Sequence, residues 1–139
     1  MSTESNKTVV RRVFDEVFNQ GNVAVIDEIF AAGYVDHSAP PGFPPGLESL
    51  KLSVTVFRTA FPDLQIRVED LIAEGDKVVA RLTYQGTHLG DFMGIPPSRK
   101  QLTEAGIAID TVKDGRIVEH WVVRDDLGLL QQLGMIPNM

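Results

Sequence analysis

The spacing of apolar residues changes once along this chain, near Phe61-Pro62-Asp63, and that change restricts the fold more than any other feature. Upstream, Val9, Val10, Val13, Phe14, Val17 and Phe18 recur at helical spacing from Thr8 on, and Asn19-Gln20-Gly21-Asn22 ends the run. A shorter stripe follows in VAVIDEIFAAG, residues 23–33, through Val25, Ile26, Ile29 and Phe30. Residues 47–60, LESLKLSVTVFRTA, predict a third helix through Leu50, Val54 and Phe57. Downstream the period is two: residues 64–74, 77–87, 101–112 and 116–124 each alternate, which predicts four antiparallel strands. Glu74-Gly75-Asp76 and Lys113-Asp114-Gly115 read as hairpin turns. Tyr34 to His37 read as extended chain running into a proline-rich loop, and residues 88–100, HLGDFMGIPPSRK, as a Gly/Pro-rich excursion between strands.

Helices first and strands second make an α+β domain in which the helices must cover one sheet face. Long strands twist, so the sheet is expected to curl around the helices into a cone whose open mouth admits a small ligand. The 139 residues suit one domain, 1–139. No stretch approaches the roughly 20 apolar residues of a membrane span. There is no cysteine and no apolar leader, so a cytoplasmic protein without a membrane partner is expected. A net charge of −6 without clustered Lys and Arg argues against a nucleic-acid partner.

Several catalytic signatures are missing. The chain has no G-x-S-x-G, no H-E-x-x-H and no phosphate loop; Gly86, Gly90 and Gly94 follow a strand without opening a helix. The histidines His37, His88 and His120 lie far apart with no i, i+4 pair, so no metal site is expected.

Three separated motifs, in order, resemble the SnoaL-like polyketide cyclases, often labelled ester cyclases. They are YVDH at 34–37, GTHLGDFMGIPPSRK at 86–100, and DGRIVEHW followed by Asp125 and LLQQLG within 114–134. The resemblance implies the cone-shaped α+β fold of the nuclear-transport-factor-two superfamily. It also implies aldol closure of a polyketide ring without cofactor or metal, a small hydrophobic carbonyl-containing ligand, and a homodimer or higher homo-oligomer packed through the outer sheet face. A carbon between two carbonyls is acidic enough for one positioned base to deprotonate, provided the enolate is held against the carbonyl it attacks. In the cyclases this chain resembles most, the acid/base aspartate follows the position matching Trp121, and a pocket histidine stands on the preceding strand. Here those positions hold Val122 and Ala108. A relative with these changes uses another base, catalyses another reaction, or only binds a ligand in the same pocket.

His120 shares its strand face with Val118 and Val122 and is the base expected inside the cone, against the alternative of a core histidine bonded to a neighbour. Glu104 and Asp110 share parity with Ala108, which aims both inward if no bulge intervenes. Glu104 is the preferred alternative base, and one of the two carboxylates is expected at the solvent-exposed end, because burying both is costly. His37, entering the proline-rich loop, is expected at the rim and assisting. Tyr84, Ala108, Val122, Asp125, Met93 and His88 complete the expected pocket. Asp125 suits capping of the last helix better than chemistry, Asp36 reads as a solvent or turn residue, and Trp121 as packing. Leu129, Leu130 and Leu133 are expected to pin the last helix before Gly134 ends it.

Overall fold

The computed structural model describes residues 2–44 and 46–138. Helix α1 (Thr3–Arg12) starts earlier than the periodicity suggests, because Ser2 caps it by accepting the Ser5 N–H at 3.0 Å. It continues as a π-helical stretch, Val13–Phe18, whose widened turn brings Val13, Phe14 and Phe18 to one cavity. Asn19 then ties this stretch to the sheet: its side chain accepts the Ile66 N–H at 2.7 Å and donates to the Ile66 carbonyl at 2.9 Å.

The expected second helix is cut short. A 3-10 turn (Val23–Val25) and α2 (Ile26–Ile29) are followed at once by strand β1 (Phe30–Asp36). Seven helical residues are too few to persist on propensity alone. The edge of β5 offers unpaired backbone groups, and Phe30 and Tyr34 find buried places, edge to face with ring centroids 4.8 Å apart. Helix α3 (Leu47–Ala60) and strands β2 (Gln65–Glu74), β3 (Lys77–Thr87), β4 (Gln101–Lys113) and β5 (Arg116–Arg124) follow, and α4 (Asp126–Gln132) closes the chain.

The sheet therefore has five strands rather than four, in the order β1-β5-β4-β3-β2, with β1 parallel to β5 and the other pairs antiparallel. Asp114 and Gly115 both take positive φ, 52° and 80°, as the tight β4–β5 hairpin demands. Helices α1 and α3 lie in the hollow of the sheet, and the core between them includes Val10, Val17, Val54, Val78, Leu82 and Ile117. The 88–100 segment is tied down at both ends. Its neck is closed by His88 and Lys100 backbone bonds, and Leu89 and Gly90 donate to the Ala60 carbonyl. A Cβ at Gly90 would run into the Thr59 carbonyl oxygen, so this approach requires glycine. Phe92 then packs on Phe57 and Phe61. No helix among the described residues is long and apolar enough to cross a membrane.

Candidate active site

Strands β4 and β5 pair Ala108 with Val122 and Asp110 with His120. Both pairs face inward, and the bulge in this ladder falls only between Thr111 and Val112, so parity survives as far as Asp110. His120 Nδ1 lies 2.8 Å from Asp110 Oδ1. Ionised Asp110 can only accept, so Nδ1 carries the proton and Nε2 is left as the basic nitrogen. Asp110 is buried, whereas the His120 side chain keeps 20% of its surface exposed, toward the cavity it lines. Burial pulls the imidazole pKa down, but the Asp110 carboxylate and its hydrogen bond, with Asp36 farther away, outweigh this and leave His120 above the ordinary histidine value.

The cavity has a volume of about 70 Å³ and opens to solvent. Phe14, Phe18, Phe30, Leu50 and Phe57 make its walls apolar. Polar groups enter at a few points. Asp36, opposite His120 on β1, accepts the Ser38 N–H at 2.9 Å, and Ser38 Oγ accepts the Val122 N–H at 2.9 Å where β1 no longer reaches. The Tyr34 and Tyr84 hydroxyls are pushed up by burial, Tyr84 to about 12, so both remain neutral donors at physiological pH. Arg124 lies at the mouth with Met93, its guanidinium 5.3 Å from the centre of the Phe57 ring.

Of the residues expected in the pocket, His120, Tyr84, Val122 and Met93 line this cavity. Four others do not. Glu104 faces inward but stands six residues from Asp110 along β4, about 20 Å away, and lines a second, smaller hollow. The expectation that one carboxylate sits in solvent also fails, since Glu104 and Asp110 are both buried. Asp110 is held by His120, and Arg124 Nε is 3.8 Å from Glu104. His37 points to the outer sheet face, one residue out of phase with Asp36; its ring stacks on Trp121 at 4.6 Å and its Nε2 is 3.3 Å from Glu119. His88 is fully buried at the neck of the 88–100 segment, where its Nδ1 accepts the Ser98 N–H at 3.1 Å. Asp125 caps α4 by accepting the Gly128 N–H at 3.0 Å. Ala108 is wholly buried beneath the wall. Trp121 is half-buried outside the cone rather than packed in its core. Asp36, Tyr34 and Arg124 were missed as pocket residues. Alternation carries a signal for all three: Tyr34 and Asp36 share one face of β1, and Arg124 shares the face of His120 and Val122 on β5.

A curved α+β cone with a histidine–aspartate pair inside an apolar, solvent-open cavity defines a nuclear-transport-factor-two-like domain equipped for acid/base work. The model of the SnoaL-like polyketide cyclase family matches residues 8–133, and the chain belongs to that family. Aklanonic acid methyl ester cyclase DnrD of Streptomyces peucetius is 30% identical over 138 residues, spanning 96% of this chain and 92% of that relative. Nogalonic acid methyl ester cyclase of Streptomyces nogalater is 28% identical over 120 residues, 84% of this chain and 89% of its own. Among solved structures, TsrD from Streptomyces laurentii superposes with a TM-score of 0.89 at 29% identity, covering 98% of this chain and 99% of that one.

Proposed function

We propose that this chain, acting as one domain over 1–139, closes a ring in a carbonyl-rich polyketide-like small molecule by an intramolecular aldol step in which His120 is the base. The observation that carries the reading is the Asp110–His120 pair in the cavity wall. It stands two residues, about 7 Å, farther from the mouth than the Ala108–Val122 pair that occupies the family's expected positions. The carboxylate is on β4 and the imidazole on β5, the reverse of the arrangement the resemblance implies.

His120 Nε2 takes the proton from a carbon between two carbonyls, and the charge spreads onto the enolate oxygens. The neutral Tyr34 and Tyr84 hydroxyls and the Arg124 guanidinium are the donors that can meet this charge. The enolate carbon attacks a ketone carbon of the same molecule, one C–C bond forms, and the resulting alkoxide recovers the proton from His120. Atoms balance and no electrons are exchanged, so the step needs no cofactor. Asp110 holds the tautomer and stabilises the imidazolium in between.

The test offers the protein aklanonic acid methyl ester and nogalonic acid methyl ester, the compounds named in its relatives, and follows product by chromatography. His120→Gln is expected to lower kcat by about 10²–10⁴. Activity of the parent should rise with pH through the His120 pKa, above 6.5. Asp110→Asn should slow turnover and move that limb to lower pH, since burial without the carboxylate pulls the imidazole down. Full turnover by His120→Gln would remove His120 as the base. Binding of either ester without conversion by the parent protein would favour the second reading, a noncatalytic carrier with the same pocket, to which Val122 and Ala108 point. We infer also that the enzyme is a homo-oligomer, a reading supported by the apolar outer face of the sheet, and that it works in the cytoplasm, in keeping with a chain that has no cysteine.

A further inference from the structure

The cavity that holds His120 has a volume of about 70 Å³. A single benzene ring fills an apolar cavity of about 150 Å³. The ring-bearing body of a ligand therefore stays outside while a slimmer arm reaches His120. Immediately outside lies an open hollow of about 480 Å³, walled in part by Ile95, Leu129 and Leu130. The two spaces share Ser38, Pro40, Met93, Val122 and Arg124, which thus form the neck between them. All of these except Met93 are held in place. Ser38 Oγ accepts the Val122 N–H at 2.9 Å, Pro40 is a closed ring, Val122 sits in β5 opposite Ala108, and Arg124 rests over Phe57 with its Nε 3.8 Å from Glu104. Met93 has a long, unbranched and adaptable side chain, and it is 54% exposed.

The backbone beneath Met93 is as firmly set as its side chain is free. Phe92 and Ile95 exchange N–H···O bonds of 3.0 and 2.9 Å around a two-residue turn, and Asp91 Oδ2 accepts the Gly94 N–H at 3.1 Å. Phe92 is buried on Phe57 and Phe61 and anchors the turn. Met93 and Gly94 both take positive φ, 50° and 89°. Asparagine or glycine suits the first position of such a turn, so methionine is held there at a cost in backbone strain. A long apolar side chain kept at a strained position over the neck points to a role in that neck. We propose that Met93 is the selectivity residue of the site: the body of a ligand rests in the outer hollow, and Met93 swings aside for an arm slim enough to pass to His120 while turning back a branched one. That this arm is the ring-closing end of a polyketide rests on the proposed function; the passage past Met93 does not.

Diethyl pyrocarbonate and di-tert-butyl dicarbonate both acylate a neutral imidazole nitrogen through attack on a carbonyl carbon, and they differ in width. Each is reacted at one pH with the protein and N-acetylhistidine in the same solution, and the peptide bearing His120 is followed by mass spectrometry. The tert-butyl reagent must await the open neck, a minor state populated at about 10% or less, so in the parent the ethyl reagent should modify His120 at least about tenfold faster once each rate is scaled to N-acetylhistidine. Met93→Gly removes the side chain and the strain together; it should melt no lower than the parent and bring the two scaled rates together. Met93→Asn, shorter and at ease at positive φ, should narrow the gap likewise. Ile95→Ala widens the outer hollow but not the neck and should discriminate as the parent does. Equal scaled rates in the parent, discrimination persisting in Met93→Gly, or its loss in Ile95→Ala, which would make the whole turn the barrier, would each overturn the proposal. None of these rates requires turnover, so a protein that converts neither ester still confirms or refutes the passage past Met93.

Discussion

A carboxyl group whose pKa rises on folding leaves a signature in stability, and Glu104 moves from 4.5 toward about 8. The folded chain binds its proton more tightly than the unfolded chain. The resulting stabilisation is complete below pH 4.5 and is lost as pH rises through about 8. Glu104→Gln has no proton to lose, so its melting temperature should fall less than the parent's between about pH 5 and about pH 9. Parallel curves for the two proteins would show that Glu104 ionises freely where it stands. His120 is also raised and loses its share of stability on the alkaline side of its own pKa, which is why the comparison must be made against the parent with His120 intact. Alternation along β4 and β5 made both inward carboxylates and the histidine legible in the sequence. Alternation carries no depth, however. The choice between Asp110 and Glu104 as the partner of His120 depends on strand register, which is fixed by the hairpin at Asp114-Gly115, legible in the sequence, and by the bulge after Thr111, which the period does not reveal.

Elements long enough to carry a full period were legible; those made by an edge were not. Helix α3 and strands β2 to β5 lie within a residue or so of their expected bounds. Strand β1 was hidden because FAAGYVD carries a helical stripe into an extended segment, and only the open edge of β5 selects the strand. The last helix shows the same dependence on an edge. Strand β5 pairs with β4 only as far as Gly106, which leaves the start of β4 without a partner on that side. Asp125 N–H donates to the Ala105 carbonyl, and the Gln132 side chain then takes the place of a strand: its Oε1 accepts the Thr103 N–H at 3.0 Å and its Nε2 donates to the Thr103 carbonyl at 2.6 Å. A seven-residue helix has little stability of its own, so these bonds and Leu129, buried against the body, hold it. Gln132→Ala should cost about 1 kcal/mol in thermal unfolding and speed hydrogen exchange at the Thr103 amide well above that of Ile107. If Thr103 exchanges no faster, the amide clasp has no role in docking α4.

At the scale of the molecule, the inside of the cone is covered by helices while the outside is bare. Register places Ile107 opposite Val123 and Ile109 opposite Trp121, with Val79 beside Ile109, all on the outer face. Val123 is 77% exposed and Ile107 50%. Charged pairs border this patch, Arg81 with Asp70 at 2.6 Å on one side and Glu119 with Lys77 and His37 on the other. An apolar centre with a polar rim on the outer antiparallel face is the composition of a self-complementary interface. A second copy related by a twofold axis would meet the same stripe and cover it, and a stable dimer requires on the order of 1,200 Å² of total buried surface. The parent protein is expected to sediment as a dimer or larger assembly, and Val123→Glu with Ile107→Lys to sediment as a monomer. Both substitutions lie on the face away from Asp110 and His120, so the monomer should keep its fold and its cavity, and circular dichroism checks the fold. A parent that sediments as a monomer at micromolar concentration would refute the interface. A variant that stays assembled would place the contact elsewhere on the surface.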